Sequence, residues 1–260
     1  MSDNIEAISG ISLASIESLS GKSKSVISKV GGVTKPASGG SIAISDITVT
    51  DIYGRISTTT PHSFNLPSNA SSGDFILTIW TIDDNSSGGI GQTPTGWVKA
   101  NPTWGNGTSD AHILLLYRQL DGTEGSSVPC YSIYSTTKGS IFYSMIVSNI
   151  DTTTPIDVVG SPSISTGTGV TAPAVTSTDG GIFICVVAFD GSDGDPFSFS
   201  NGSFTLTAGG DTGNSRDDSK GVSSAFKYAT IGASTSTSTT SITAAKSDGK
   251  VAGHIILKQA

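Results

Sequence analysis

Apolar residues in this chain come in short runs, with no one-sided helical stripes among them. From about Ile44 onward, runs of Ile, Val, Phe, Thr and Tyr are bounded by Gly, Pro, Asn, Asp and Ser, the pattern of an antiparallel all-β sandwich or barrel. The strands expected are Ile44–Thr50, Phe75–Ile82, His112–Leu120, Val128–Ser135, Ser140–Val147, Ile182–Phe189, Ser203–Thr207, Ser223–Thr230, Ser236–Ala244 and Val251–Lys258. Phe75–Trp80, Ile113–Tyr117 and Ile182–Phe189 are apolar at nearly every position, so they belong mid-sheet with both faces covered. No amphipathic helix is available as cover. A neighbouring subunit or long loops must supply it, which favours an oligomer.

A different pattern precedes the strands. Ile5-Glu6-Ala7-Ile8-Ser9-Gly10, Ile16-Glu17-Ser18-Leu19-Ser20-Gly21 and Ile27-Ser28-Lys29-Val30-Gly31-Gly32 stand eleven residues apart, each reading Ile-x-x-aliphatic-x-Gly. Each unit is too small to bury its own apolar pair, so the pairs Ile5/Ile8, Ile16/Leu19 and Ile27/Val30 call for a partner surface. An eleven-residue period also fits a right-handed helical coiled coil, but each Gly costs a helix about 1 kcal/mol against Ala. Short extended pieces broken at glycine are preferred. The organisation expected is an arm over residues 1–36, a linker over 37–43, and a jelly-roll-like antiparallel sandwich over 44–260.

Composition supports strands over helices. Ser, Thr and Gly are abundant, Glu occurs three times, and charged residues make up 13% of the chain, so helix formers are scarce. The net charge of −7 lies on the body: residues 1–36 carry four Lys against Asp3, Glu6 and Glu17, leaving ten basic and eighteen acidic residues downstream. An acidic body without basic clusters repels phosphate, so nucleic acid is not an expected partner. No long apolar run suggests a membrane span, and no secretory signal is visible at the start. Cys130 and Cys185 sit among strand residues and read as reduced core thiols.

Little of the remaining chemistry converges. Asp190, Asp193 and Asp195 lie within six residues on a glycine-bent loop, which calcium coordination can use, although a solvated Asp-Gly turn explains the same pattern. No other cofactor is expected. Asp211, Asp217 and Asp218 crowd a polar loop, Gly209–Gly221, without a sign of burial, and His62, His112 and His254 are isolated. Trp97 and Trp104 stand on loop-like segments, where they either close the core or stack on sugar rings. Core or interface packing is preferred, and the chain is not expected to be an enzyme.

One set of motifs resembles a known family. Gly73-Asp74-Phe75-Ile76-Leu77, Thr93-Pro94-Thr95-Gly96-Trp97, Leu114-Leu115-Leu116-Tyr117-Arg118 and Asp121-Gly122-Thr123-Glu124 together resemble a β-sandwich domain of tailed-bacteriophage virion proteins. The N-terminal repeats look like the short repeated openings of structural proteins from marine and cyanobacterial phages. The resemblance covers residues 5–32 and roughly 67–125, and residues 151–260 share with it only their β-rich character. It implies a capsid decoration, head fibre or tail fibre protein on the virion surface, anchored by its arm to other virion proteins of the capsid, neck or tail. A homo-oligomer, with a trimer favoured, goes with that reading, and a host-surface glycan bound through Trp97 and Trp104 is the alternative.

Overall fold

In the computed structural model the described residues are 41–260 apart from 84–91, 106–109, 133–135, 192–195 and 214–220, together with short backbone pieces of the arm. Those pieces are β1 (Ser18–Leu19), paired antiparallel with β2 (Lys22–Ser23), and β3 (Lys29–Val30), paired antiparallel with β4 (Val33–Thr34). One compact unit then runs from Ile42 to Gln259. It is all-β and antiparallel throughout, as the sequence pattern requires.

The body is one topology used twice. Its first half holds β5 (Ala43–Ile56), β6 (His62–Asn65), β7 (Phe75–Asp83), β8 (Val98–Lys99), β9 (Ala111–Gln119), β10 (Ser127–Cys130) and β11 (Thr136–Ser148). They form a large sheet in the order β5-β11-β7-β9-β8 and a small one, β10-β6. The second half holds β12 (Ile156–Val159), β13 (Ser163–Ser165), β14 (Gly169–Ala172), β15 (Gly181–Asp190), β16 (Ser198–Asn201), β17 (Thr207–Gly213), β18 (Val222–Ile231), β19 (Thr240–Thr243) and β20 (Lys250–Lys258). Its large sheet runs β12-β20-β15-β18-β17, with β13 also on β20, and its small sheet runs β14-β19-β16. In each half the long central strand lies between the last strand and the strand that precedes the small-sheet return. The second half carries the fuller jelly-roll-like pairing, because β16 adds to its small sheet.

Burial explains why the two halves stay together. The large sheets pack face to face, and between them lie Leu77, Ile79, Ile113, Leu115, Tyr143 and Met145 from one side and Ile184, Val186, Phe226, Val251, Ile255 and Leu257 from the other. The alternate residues of the same strands point outward. Ile76, Trp80, Leu114, Leu116 and Phe142 meet β6 and β10 through Phe64, Val128 and Cys130. Phe183, Cys185, Val187 and Ile256 meet the second small sheet through Val170, Ala172 and Ile242. Since side chains alternate between faces along a strand, the wholly apolar runs 75–82 and 182–189 are accounted for by four layers. The covers for the outer faces come from the chain's own short strands and loops. Apolar runs therefore give no reason to invoke a neighbouring subunit.

Several expected elements shift. Of the expected strand Ser203–Thr207 only Thr207 is in a strand; β16 ends at Asn201, whose side-chain oxygen accepts from the backbone N–H groups of Ser203 and Phe204 and turns the chain. The loop expected from Gly209 begins as strand β17, which pairs with β18 from Thr207 to Gly213. Residues 151–260 prove to repeat the arrangement of residues 42–150.

Candidate functional site

Of the proposed anchor residues, Ile5, Ile8, Ile16 and Ile27 lie outside the described residues. Leu19 and Val30 are in β1 and β3, where only their backbone pairing, Leu19 with Lys22 and Val30 with Val33, is described.

Trp97 and Trp104 are both core residues, 6% and 1% exposed. Trp97 follows a turn closed by its own N–H donating to the Pro94 carbonyl at 3.0 Å, and its ring meets Phe64 edge-on at 5.1 Å. Trp104 bridges to Ile113 through paired backbone hydrogen bonds of 2.9 Å and lies over Gly253 in the opposite sheet, where a Cβ would stand 2.7 Å from its ring. Neither offers an open ring face, and a sugar-stacking platform needs one. Both tryptophans therefore take the preferred core-packing reading, and the alternative of stacking on sugar is set aside for these two rings.

Three of the four motifs that carried the family resemblance meet in one clamp. Arg118, on β9, donates from Nη1 to the Thr95 carbonyl at 3.2 Å, pairs through Nε with Glu124 at 2.6 Å, and pairs through Nη2 with Asp121 at 3.0 Å. Gly96 has φ +80, and any Cβ there would collide with the guanidinium, so the Pro-x-Gly-Trp turn needs its glycine. Glu124 accepts from the backbone N–H groups of Asp121 and Gly122 at 3.1 and 3.0 Å. Gly73-Asp74 does similar work at the start of β7, where Asp74 accepts from the N–H and hydroxyl of Ser71. Beside the clamp lies a groove of about 390 Å³ lined by Gln92, Thr95, Trp97, Ser127, Pro129 and Tyr131 among others. Of its lining residues Arg118 and Glu124 are paired with each other, and the rest present hydroxyl, amide and apolar groups.

A second cluster sits at one end of the large sheets. Asp83 ends β7 and Asp190 ends β15, equivalent positions in the two halves. Asp83 is fully buried and pairs with the buried Lys138 of β11 at 2.9 Å. The Asp190 carboxyl is pushed up to about 7, chiefly by withdrawal from water and then by Asp83, Asp248 and Asp110, with Lys138 opposing. Asp193 and Asp195 lie outside the described residues. Among the described residues no group of three His, Cys, Asp or Glu side chains could hold a metal ion. Asp211 accepts from the Phe197 backbone N–H at 3.0 Å, while Asp217 and Asp218 lie outside the described residues.

The histidines and cysteines serve packing. His62 contacts the Ser140 hydroxyl at 2.8 Å and His254 the Thr240 hydroxyl at 2.9 Å, and burial lowers both rings to about 4. His112 is fully buried on β9. Both cysteines are free and buried, and burial raises their thiols well above the usual range. A thiol so placed is a poor nucleophile. Among the described residues no helix is long and apolar enough to cross a membrane.

No family model, curated protein or solved structure matches this chain. The sequence reading passed over Lys138 and did not pair Asp83 with Asp190. The signal for that pair was present, because Gly73-Asp74-Phe75-Ile76-Leu77 and Gly180-Gly181-Ile182-Phe183-Ile184 open runs that both end in Asp eight residues after the first apolar position.

Proposed function

We propose that this chain is a non-enzymatic structural protein of a tailed-phage particle, attached through arm residues 1–36 and displaying the doubled sandwich on the virion surface. The observation that supports it is a contrast. The body covers its outer sheet faces with its own strands, while the arm repeats three aliphatic pairs at an eleven-residue spacing. Apolar pairs on an arm gain by burial against something larger, and at about 25 cal/mol per Å² six such side chains contribute several kcal/mol before ordering costs. The partners are other virion proteins of the capsid, neck or tail, or sister arms in a homo-oligomer, with a trimer favoured. Deleting residues 1–36 is expected to abolish incorporation into particles and to leave the body folded. Normal incorporation of the truncated protein would refute the attachment role.

A second reading, recognition of a host-surface glycan, now rests on the groove beside Arg118 rather than on stacked tryptophans. Its uncharged hydroxyl and amide groups, with Pro129 and Tyr131, suit a neutral sugar. Binding on a glycan array that is lost in Tyr131→Ala and Gln92→Ala would support it. An array without signal would remove it.

A further inference from the structure

Lys138 and Asp83 meet where water is scarce. Nζ of Lys138 stands 2.9 Å from Oδ1 of Asp83, and the two side chains are 8% and 1% exposed. Their strands, β11 and β7, are paired from Ser140/Ile82 to Val147/Phe75, so the sheet itself fixes the approach. An ammonium and a carboxylate taken out of water lose hydration that their mutual attraction only partly restores. The neutral pair, an amine beside a carboxylic acid, escapes that penalty, and amide formation starts from this form.

A third group completes the set. Asp190 lies within electrostatic reach of both Asp83 and Lys138, and with its carboxyl held at about 7 it can give up and regain a proton near neutrality. An amine and a carboxyl held side by side in a packed site also react at a very high effective concentration, which in a dry site favours condensation.

We propose that Lys138 and Asp83 condense into an intramolecular isopeptide bond that ties β11 to β7, with the Asp190 carboxyl carrying the proton. The ion pair first passes a proton from Nζ to the carboxylate. The amine lone pair then attacks Cγ of Asp83, forming the N–C bond, while the carbonyl oxygen gains a proton from Asp190. One hydroxyl leaves the tetrahedral carbon as water, and the nitrogen returns a proton to Asp190. The sum is amine plus carboxylic acid giving amide plus water, with no oxidant or other co-reactant.

Mass spectrometry of the purified full-length protein tests this. The intact mass is expected to fall short of the sequence mass by one water, and a tryptic digest should hold a branched peptide in which Lys138 resists cleavage and is joined to the peptide containing Asp83. Lys138→Arg keeps the charge and should restore the full mass. Asp83→Asn should yield the same branched product by releasing ammonia in place of water. In Asp190→Asn the branched fraction should drop while both reacting residues remain. In refolded wild type, bond formation should slow as pH rises through about 7, which a merely structural Asp190 would not produce. A cooperatively folded wild-type protein of full mass, cleaved by trypsin at Lys138, would overturn the proposal and leave an ordinary buried ion pair.

Discussion

Tyr143, on β11 of the first large sheet, reaches across the central layer and donates its hydroxyl proton to the Ser224 carbonyl of β18 at 2.5 Å. Its ring stands edge-on to Phe226 at 5.2 Å and over Gly210, where any Cβ would collide with it. Trp104 does the corresponding work elsewhere on the seam, filling the space that Gly253 leaves. The two halves share a topology, yet large residues of the first fit bare positions of the second. That asymmetry fixes how the sheets register.

Tyr143→Phe should therefore cost about 1–3 kcal/mol, because it leaves the Ser224 carbonyl buried without that donor. Gly253→Ala forces a methyl against a fully buried indole that cannot swing away, and should cost a comparable amount by overpacking. Chemical denaturation should show lower midpoints with unchanged slopes. For Gly253→Ala, tryptophan fluorescence should also shift, since Trp104 must move.

Arg118 holds two turns at once, and Lys cannot replace it. A single ammonium lacks the planar fork that reaches Thr95, Asp121 and Glu124 together. Arg118→Lys and Arg118→Ala should leave the sheets folded while loosening residues 92–97 and 121–126. Hydrogen exchange at the N–H groups of Trp97, Asp121 and Gly122, each closed within these turns, is expected to quicken in both variants. Unchanged exchange would show that the turns hold without the clamp.

Acid and base act on this fold in opposite senses. His62 and His254 are lowered from 6.5 to about 4 by burial, so the unfolded chain takes up protons first as pH falls. Their contribution is whole above about 6.5 and fades as pH falls toward 4, the loss reaching about 2 kcal/mol for each by pH 5. Asp190 is raised, so its contribution is whole below the ordinary carboxylate range and is lost as pH rises through about 7. The groups facing it are Asp83 from β7, Asp110, Asp248 and Lys138 from β11. In a Lys138→Arg background, where no cross-link can form, adding Asp190→Asn should consequently raise the melting point at pH 8 and lose most of that advantage at pH 5. His62→Gln should flatten the acid limb of the wild-type profile. Parallel pH profiles with and without Asp190→Asn in the Lys138→Arg background would contradict the placement of Asp190.

How much of this was legible follows from what each signal encodes. Long apolar strands announced themselves: Phe75–Ile82 and Ile182–Phe189 were placed to within a residue or two because both faces of those strands are buried. Short covering strands such as His62–Asn65 and Gly169–Ala172 escaped, since four residues with one buried face carry too little pattern to stand apart from loops. Core packing was the preferred reading of Trp97 and Trp104 because large aromatics bury their area where they can, and both lie in the core. The Lys138–Asp83 pair was invisible for another reason: the two residues are 55 positions apart and meet only through the pairing of β7 with β11.

The repeated topology leads to a last expectation. Each large sheet has one face buried under its own small sheet and one face buried only against the other half. Residues 42–150 produced alone would expose Leu77, Ile79, Ile113, Leu115, Tyr143 and Met145 as a continuous apolar patch, larger than soluble monomers tolerate. Such a fragment should aggregate or pair with itself through that face, and residues 151–260 should do likewise. Mixing the two fragments during refolding should recover a soluble complex, because each supplies the surface that the other lacks. Light scattering and size-exclusion chromatography read both outcomes. A fragment of residues 42–150 that stayed monomeric and folded would mean that the central layer is a contact between two independent domains, and the seam variants Tyr143→Phe and Gly253→Ala should then leave the stability of each half unchanged.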